Sequence, residues 1–407
     1  MNAETAVYLN SMFIEYYERK GSSMVVPPKD LIEREFAFTY FGREGMFRHI
    51  GFRSAEELLS NLRVNGPSHS YLSAAHYVDP SAATMGQKGW KGTDLIFDID
   101  ADHLEVACKA KHDRWFCREC GNSGMGEKPE KCPSCQSPRI DDETWLCDNC
   151  IRQTKTETRK LMEILCDDFG FSKNDIEVTY TGHRGYHTKV MSPSIYLLTP
   201  SERREIVDYV TARGIDLQAY GLVGPDAHSR RHLAGPGRDD VGWGSRIYRS
   251  VVGMIEKDEP PFQKLKKKDL VLREMAAGRW DSAERFTLEK WKQLVPKAID
   301  RTGIAHIDEP VTTDIHRLIR LQGSLHGKTG FAVTKVDDLD SFDPFRDAIV
   351  FKSSETVSVH IDKNKSAHSF RIGDQTCGPF NEEKCELPLE FAIFFMCKGV
   401  AEIAREP

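Results

Sequence analysis

The 407 residues are 40% hydrophobic, 10% aromatic and 29% charged, which excludes a disordered, fibrous or collagen-like chain and predicts two or three globular domains. The 56 basic and 62 acidic residues leave a net charge of −6, so a uniformly basic nucleic-acid coat is excluded and any nucleic-acid site must be a local patch. No apolar run approaches the ~18 residues of a membrane helix and the acidic MNAETAVYLN start resembles no export signal, so the expectation is a cytoplasmic chain with no membrane partner.

In chain order, Tyr8, Met12 and Tyr16 have helical apolar spacing, and the aromatic stretch from Arg34 to His49 predicts a short hairpin. GTDLIFDID, Gly92 to Asp100, predicts a buried strand, because Leu95, Ile96, Phe97 and Ile99 are apolar while only Asp94, Asp98 and Asp100 are charged. After Cys150, Leu161, Ile164 and Leu165 are helically spaced in a run that stops at Gly170, a plausible C-cap. DIEVTYTGHRGYHTKV predicts a strand, a glycine-containing loop and a second strand. Residues 201–300 are mostly helical in pattern, broken by a loop from Gly221 to Gly244 that holds six glycines, so a helical insertion is expected. HIDEPVTTDIHRLIRLQGSLHGKTG, His306 to Gly330, predicts a short strand, a helix start and an amphipathic turn with Ile315, Leu318 and Ile319 on its apolar face.

Three patterns carry chemistry. Asp98 and Asp100, two apart on a strand, project from one face with Cα atoms roughly 6.5 to 7 Å apart. Such hard oxygens suit Mg²⁺ or Mn²⁺ with substrate phosphates; a solvated strand end is the alternative. Arg184 and His187, with Thr181 and His183, surround two glycines in a pattern suited to a polyphosphate or to a decorated turn. Arg320, His326 and Lys328 repeat that logic, His316 lies one helical turn before Arg320, and Arg317 is expected to solvate a helix face.

Seven of the eleven cysteines fall between Cys108 and Cys150. Cys117 and Cys120, Cys132 and Cys135, and Cys147 and Cys150 are CxxC knuckles, and Cys108 with His112 completes eight ligands for two structural zinc ions. The expected grouping nests an inner site of Cys117, Cys120, Cys132 and Cys135 inside an outer site of Cys108, His112, Cys147 and Cys150. Cys166, Cys377, Cys385 and Cys397 read as ordinary thiols. Lys109, Lys111, Arg114 and Arg118, interleaved with Trp115 and Phe116, suggest a strand-tracking groove. Lys264, Lys266, Lys267 and Lys268 read as a solvated face, and Trp243, Arg230 and Arg231 fit either a template contact or none.

DLIFDIDADH, the knuckles and helix, TGHRGYH, and IDEPVTTDIHRLIRLQGSLHGKTG together resemble the catalytic small subunit of archaeal and eukaryotic-type DNA primase, over about Arg34 to Asp347. The resemblance implies an α/β (α+β) primase-polymerase fold with a mixed sheet. It divides the chain into a discontinuous catalytic domain (1–107, 151–200 and 300–350), a zinc-binding lobe with a nested ribbon (108–150), a mainly helical insertion (201–299) and a C-terminal segment completing the fold (351–407). It implies that Asp98, Asp100 and Asp308 hold the catalytic metals, with Asp314 a helix cap. Arg184, His187, Arg320 and His326 then contact the incoming triphosphate, Thr181 adds a hydroxyl, and Glu35 and Arg48 lie near the nucleotide. His183 stands where arginine is common in the family, Thr181 where serine is and Gln322 where proline is. The implied activity is synthesis of short RNA primers on single-stranded DNA from nucleoside triphosphates, beside a large subunit carrying an iron–sulfur cluster. A primase-polymerase of DNA repair or end joining would share the aspartates but usually lacks this zinc lobe. A non-catalytic zinc-ribbon module leaves the aspartates and cationic motifs unexplained.

Overall fold

The computed structural model describes residues 1–222, 233–283, 286–362, 368–380 and 384–404. Arg230 and Arg231 lie outside them. The chain forms two units, one of Met1–Lys155, Ile176–Pro200 and Asp308–Pro407, the other of Thr156–Asp175 and Ser201–Ile307. No described helix is long and apolar enough to cross a membrane.

In the first unit, the Leu95–Asp100 strand buries Leu95, Ile96, Phe97 and Ile99 and leaves Asp98 and Asp100 partly exposed. The Gly185–Val190 strand pairs with it antiparallel, setting His187 opposite Asp98 and Gly185 opposite Asp100. Ile176–Tyr180 and Thr334–Val336 complete this four-stranded sheet. A second sheet runs in the order Leu318–Arg320, His69–Ser73, Phe36–Thr39, Phe47–Ile50. The α/β (α+β) class is as expected, but every pairing among the described residues is antiparallel, so the expected mixed sheet is corrected. Here a hairpin, with residues 181–184 as its turn, does the joining that a crossover helix does in a parallel sheet.

A second correction concerns the stretch after Asp308. Glu309–Thr313 is a single short helix, and Leu318–Arg320 is a strand, with Arg320 opposite Tyr71, rather than an amphipathic turn. Apolar residues spaced three and four apart fit either element, and pairing with a strand some 250 residues earlier decides it. Asp314 follows the short helix and accepts from the backbone N–H of His316 at 2.8 Å, holding the turn into the strand.

A third sheet, of Thr356–Ile361, Lys384–Pro388 and Ala401–Ile403, packs with the Leu389–Cys397 helix, whose residues are almost all buried. In the second unit the Gly242–Glu256 and Leu288–Thr302 helices enclose a core containing Trp243, Trp280 and Trp291. Trp243 is therefore a core residue, its indole donating to the Tyr209 carbonyl at 3.0 Å.

Buried charge anchors the start of the Leu95–Asp100 strand. Arg34 donates to Asp94 at 2.8 Å, to Asp30 and to the carbonyls of Ser73 and Ala74, and His76 approaches Asp94, Asp30 and Glu33. Against the cost of burial, His76 and Arg34 hold the Asp94 carboxyl far below the usual range. Asp94→Asn leaves Arg34 buried without full compensation and should cost about 3–5 kcal/mol at pH 7. A carboxylate with a depressed folded-state pKa adds stability above its unfolded value and loses it as pH falls towards the folded value. The gap between wild type and Asp94→Asn in denaturant unfolding should therefore narrow below about pH 4.

Candidate active site and metal centres

Three carboxylates meet at the strand end. Asp98 and Asp100 share one face of the strand, and the backbone N–H of Asp308 donates to the Asp98 carbonyl at 2.8 Å, bringing the third alongside. Burial, then the nearby Asp308 charge, pushes Asp98 up to about 6. Burial, then Asp102 and Asp98, pushes Asp100 up to about 7. Asp98 Oδ1 is buried without a hydrogen-bond donor, and His187 Nε2 stands 3.5 Å from it. The His187 ring is held neutral, its pKa lowered to about 3 by burial, Arg320 and Arg317. Asp100 Oδ1 accepts from the backbone N–H of Asp102 at 2.9 Å, and the orphaned Asp98 oxygen among carboxylates that repel one another fits a hard divalent cation.

Asp98, Asp100 and His187 line a cavity of about 210 Å³ together with Asp102, Thr181, His183, Tyr71, Arg317, Arg320, His326 and Lys328, while Asp308 stands beside Asp98 and is not among the lining residues. Its cationic wall joins two loops. Gly182 adopts φ +89°, and a Cβ there would lie 2.6 Å from His326 Cβ, so only glycine allows this approach. Thr329 Oγ1 donates to the Gly182 carbonyl at 2.5 Å and locks the loops together. Arg320 stacks over Tyr71 and donates to His69 Nδ1 at 2.8 Å. His326 is buried between His69 and His183 and held well below the usual imidazole range by burial and by Arg320. Lys328 is exposed and has no carboxylate partner among the described residues.

The remaining sequence candidates divide between the cavity and other places. Arg184 was expected at a triphosphate but is 1% exposed, and its five N–H groups are taken up within the protein. Nε donates to Asp102 at 2.6 Å, and Nη1 to Asp113 at 3.0 Å and the Trp145 carbonyl at 2.9 Å; Nη2 bonds Asp113 at 2.8 Å and also Asp102. Arg48 pairs with the buried Glu35 at 3.0 Å and is not among the cavity-lining residues. Thr181 lines the cavity while its hydroxyl donates to the Gly185 carbonyl at 3.2 Å. Arg317, expected to solvate a helix, lines the cavity instead. The groove expected around Lys109 is not built: Lys109 is buried and donates to the carbonyls of Ala101, Asp102 and Leu104, and Trp115 packs in a small core with Cys117, Cys132 and Ile140.

Two metal-competent clusters form, each with its ligand atoms within 4.8 Å of one another: Cys108, His112, Cys147 and Cys150, and Cys117, Cys120, Cys132 and Cys135. The pairs nest. Sulfur separations of 3.5 Å for Cys108 to Cys150 and for Cys117 to Cys135, and 3.6 Å for Cys120 to Cys132, approach the ~3.8 Å edge of a tetrahedron with ~2.3 Å metal–sulfur bonds. His112 Nε2 faces Cys147 Sγ at 3.3 Å, while Nδ1 meets Asp113 at 2.7 Å, the outer carboxylate that orients a metal-bound imidazole. Asp113 is the residue Arg184 grips, so the outer cluster and the loop beside Asp100 share one hydrogen-bonded chain.

A profile of the DNA primase small subunit matches residues 136–338. Curated relatives named DNA primase small subunit PriS align along nearly the whole chain. That of Methanothrix thermoacetophila is 35% identical, covering 99% of this chain and 100% of its own. That of Nitrosopumilus maritimus is 32% identical over 99% and 100%, and that of Archaeoglobus fulgidus 32% over 98% and 98%. The chain belongs to the DNA primase small-subunit family. Within this primase cavity, sequence reasoning missed Asp102, His69, Tyr71 and, behind His183, Lys398. Lys398 carries no motif; Tyr71 lines the cavity and His69 backs Arg320 because their strand pairs with distant Leu318–Arg320, while Asp102 lies only two residues beyond Asp100.

The Arg184 arrangement is testable. Arg184→Lys keeps the charge but loses two donors, leaving Asp102 and Asp113 under-compensated, and should lower folding stability by about 3 kcal/mol or more. A purely phosphate-contacting arginine would leave the denaturation midpoint of the nucleotide-free protein unchanged.

Proposed function

We propose that this chain synthesises RNA primers on single-stranded DNA by nucleotidyl transfer, with Asp98, Asp100 and Asp308 as the ligands of divalent metal. The observation that carries this reading is the opposition, in one 210 Å³ cavity, of the repelling Asp98 and Asp100 carboxylates, with Asp308 alongside, to a wall of cations that mostly lack acidic partners among the described residues. Mg²⁺ or Mn²⁺ bound there would lower the pKa of the attacking hydroxyl and neutralise developing phosphate charge.

The chain's own residues supply the rest. Arg320 and Lys328 bring positive charge to the triphosphate, and His326 and His187 present imidazoles as neutral hydrogen-bonding groups. Tyr71 holds the Arg320 plane from one side. In the reaction, the 3′-hydroxyl of one nucleotide loses its proton and bonds to the α-phosphorus of the next. The bond from that phosphorus to the β-phosphate oxygen breaks, and pyrophosphate leaves towards the cationic wall. Arg184 acts as a positioning residue, fixing Asp102 and the hairpin turn.

The two Cys/His clusters take structural zinc in this reading, since thiolate-rich tetrahedral sets suit zinc and contribute directly to folding. The subunit name of the relatives supports a larger partner chain, for which the sequence resemblance implies an iron–sulfur protein. Purified protein incubated with unprimed single-stranded DNA, Mg²⁺ or Mn²⁺ and labelled nucleotides should form short products. Asp98→Asn and Asp308→Asn should each abolish synthesis without unfolding the chain, whereas Asp314→Ala should retain most of it. Synthesis by Asp98→Asn at the wild-type rate would remove this reading.

A further inference from the structure

Lys398 lies outside every sequence motif and reaches the phosphate wall from the far end of the chain. The Leu389–Cys397 helix is buried on nearly every side, so packing fixes where it ends. Lys398 closes it, the backbone N–H donating to the Phe394 carbonyl at 2.9 Å, and Gly399, at φ +72°, turns the chain away. The partly buried ammonium bonds the Thr144 carbonyl and stands 2.8 Å from His183 Nε2. No carboxylate of the described residues lies within ion-pair distance of it.

This contact dictates a tautomer. Burial, then Arg184 and Lys328, lower Lys398 to about 7; below that pH it is an ammonium with three N–H groups and no lone pair, so His183 Nε2 accepts and the ring proton resides on Nδ1. Burial, then Lys398 and Arg184, hold His183 well below the usual imidazole range, which keeps the ring neutral. His183 lines the cavity, and its Nδ1 has no hydrogen-bond partner among the described residues. Its ring also stacks on His326, with centroids 5.4 Å apart and planes 6° from parallel, so its orientation is fixed.

We infer that Lys398 is a positioning residue for the incoming nucleotide: by donating to Nε2 it sets His183 in the tautomer whose Nδ1–H binds a phosphate oxygen of the triphosphate. This rests on the nucleotide reading of the cavity given above. Lys398 also ties the C-terminal segment to that site through one side chain. A helix terminus that needed only a cation for its dipole would have no use for an imidazole acceptor.

The test uses the full-length protein labelled with ¹⁵N-histidine, with His183→Gln identifying the His183 signals. At pH 6, where Lys398 is protonated, the unsubstituted chain should show the Nδ1–H tautomer, and Lys398→Met should lose that pattern. Equilibrium binding of ATP should weaken about tenfold to a hundredfold in Lys398→Met, the size of one charge-assisted hydrogen bond, while AMP binding changes by less than about twofold. Lys398→Arg should restore most of the ATP affinity, and it carries the comparison if Lys398→Met fails to fold. An unchanged tautomer, or equal losses for ATP and AMP, overturns the inference. If the unsubstituted chain binds neither nucleotide, the nucleotide reading fails, and the tautomer comparison still decides whether Lys398 sets His183.

Discussion

Three carboxylates held at one strand end are the constraint from which the rest of the site follows. Burial, then repulsion from neighbouring carboxylates, raises Asp98 to about 6 and Asp100 to about 7, an expensive arrangement for a protein that never meets a cation there. The strand cannot relieve it, because Ile96, Phe97 and Ile99 are buried and lock the register that aligns the aspartates. The opposite wall carries like charge, since Arg320 and Lys328 are gathered without ion-paired acidic partners among the described residues. Each wall is unfavourable alone, and a metal-bound polyphosphate is a ligand that relieves both.

Arg184 shows how the surrounding protein holds this strained centre. It sits in the hairpin turn, next to the Gly185–Val190 strand that pairs with the aspartate strand, yet its guanidinium points away into Asp102 and Asp113. Asp113 in turn orients His112 of the outer Cys/His cluster. Metal at that cluster would therefore stiffen a hydrogen-bonded chain ending beside Asp100, without taking part in the chemistry. A lobe some forty residues long can thus support a site that it does not line with its ligands.

The local features were legible in the sequence: the apolar run ending in DID, the glycine-centred hairpin and the CxxC pairs all act within a few residues. Their nesting was legible too, because the inner four cysteines are adjacent in sequence. What depended on distant partners was not. Leu318–Arg320 has spacing compatible with a helix, and pairing with His69–Ser73 makes it a strand and brings Arg317 to the cavity. Arg184 stands in a motif that suggests phosphate binding, but Asp102 and Asp113, roughly seventy to eighty residues earlier, claim its donors. Lys398 had no local signal, since its meaning comes from a helix end packed against His183.

The most direct test of the central claim is electron paramagnetic resonance of free Mn²⁺ titrated with the zinc-loaded protein, without nucleotide or DNA. Wild type should withdraw Mn²⁺ from solution, and Asp98→Asn and Asp100→Asn should each weaken that binding by about tenfold or more, because each removes a charged oxygen ligand. Equal Mn²⁺ binding by wild type and both variants would show that the three carboxylates are not crowded together for a cation, and would contradict the account.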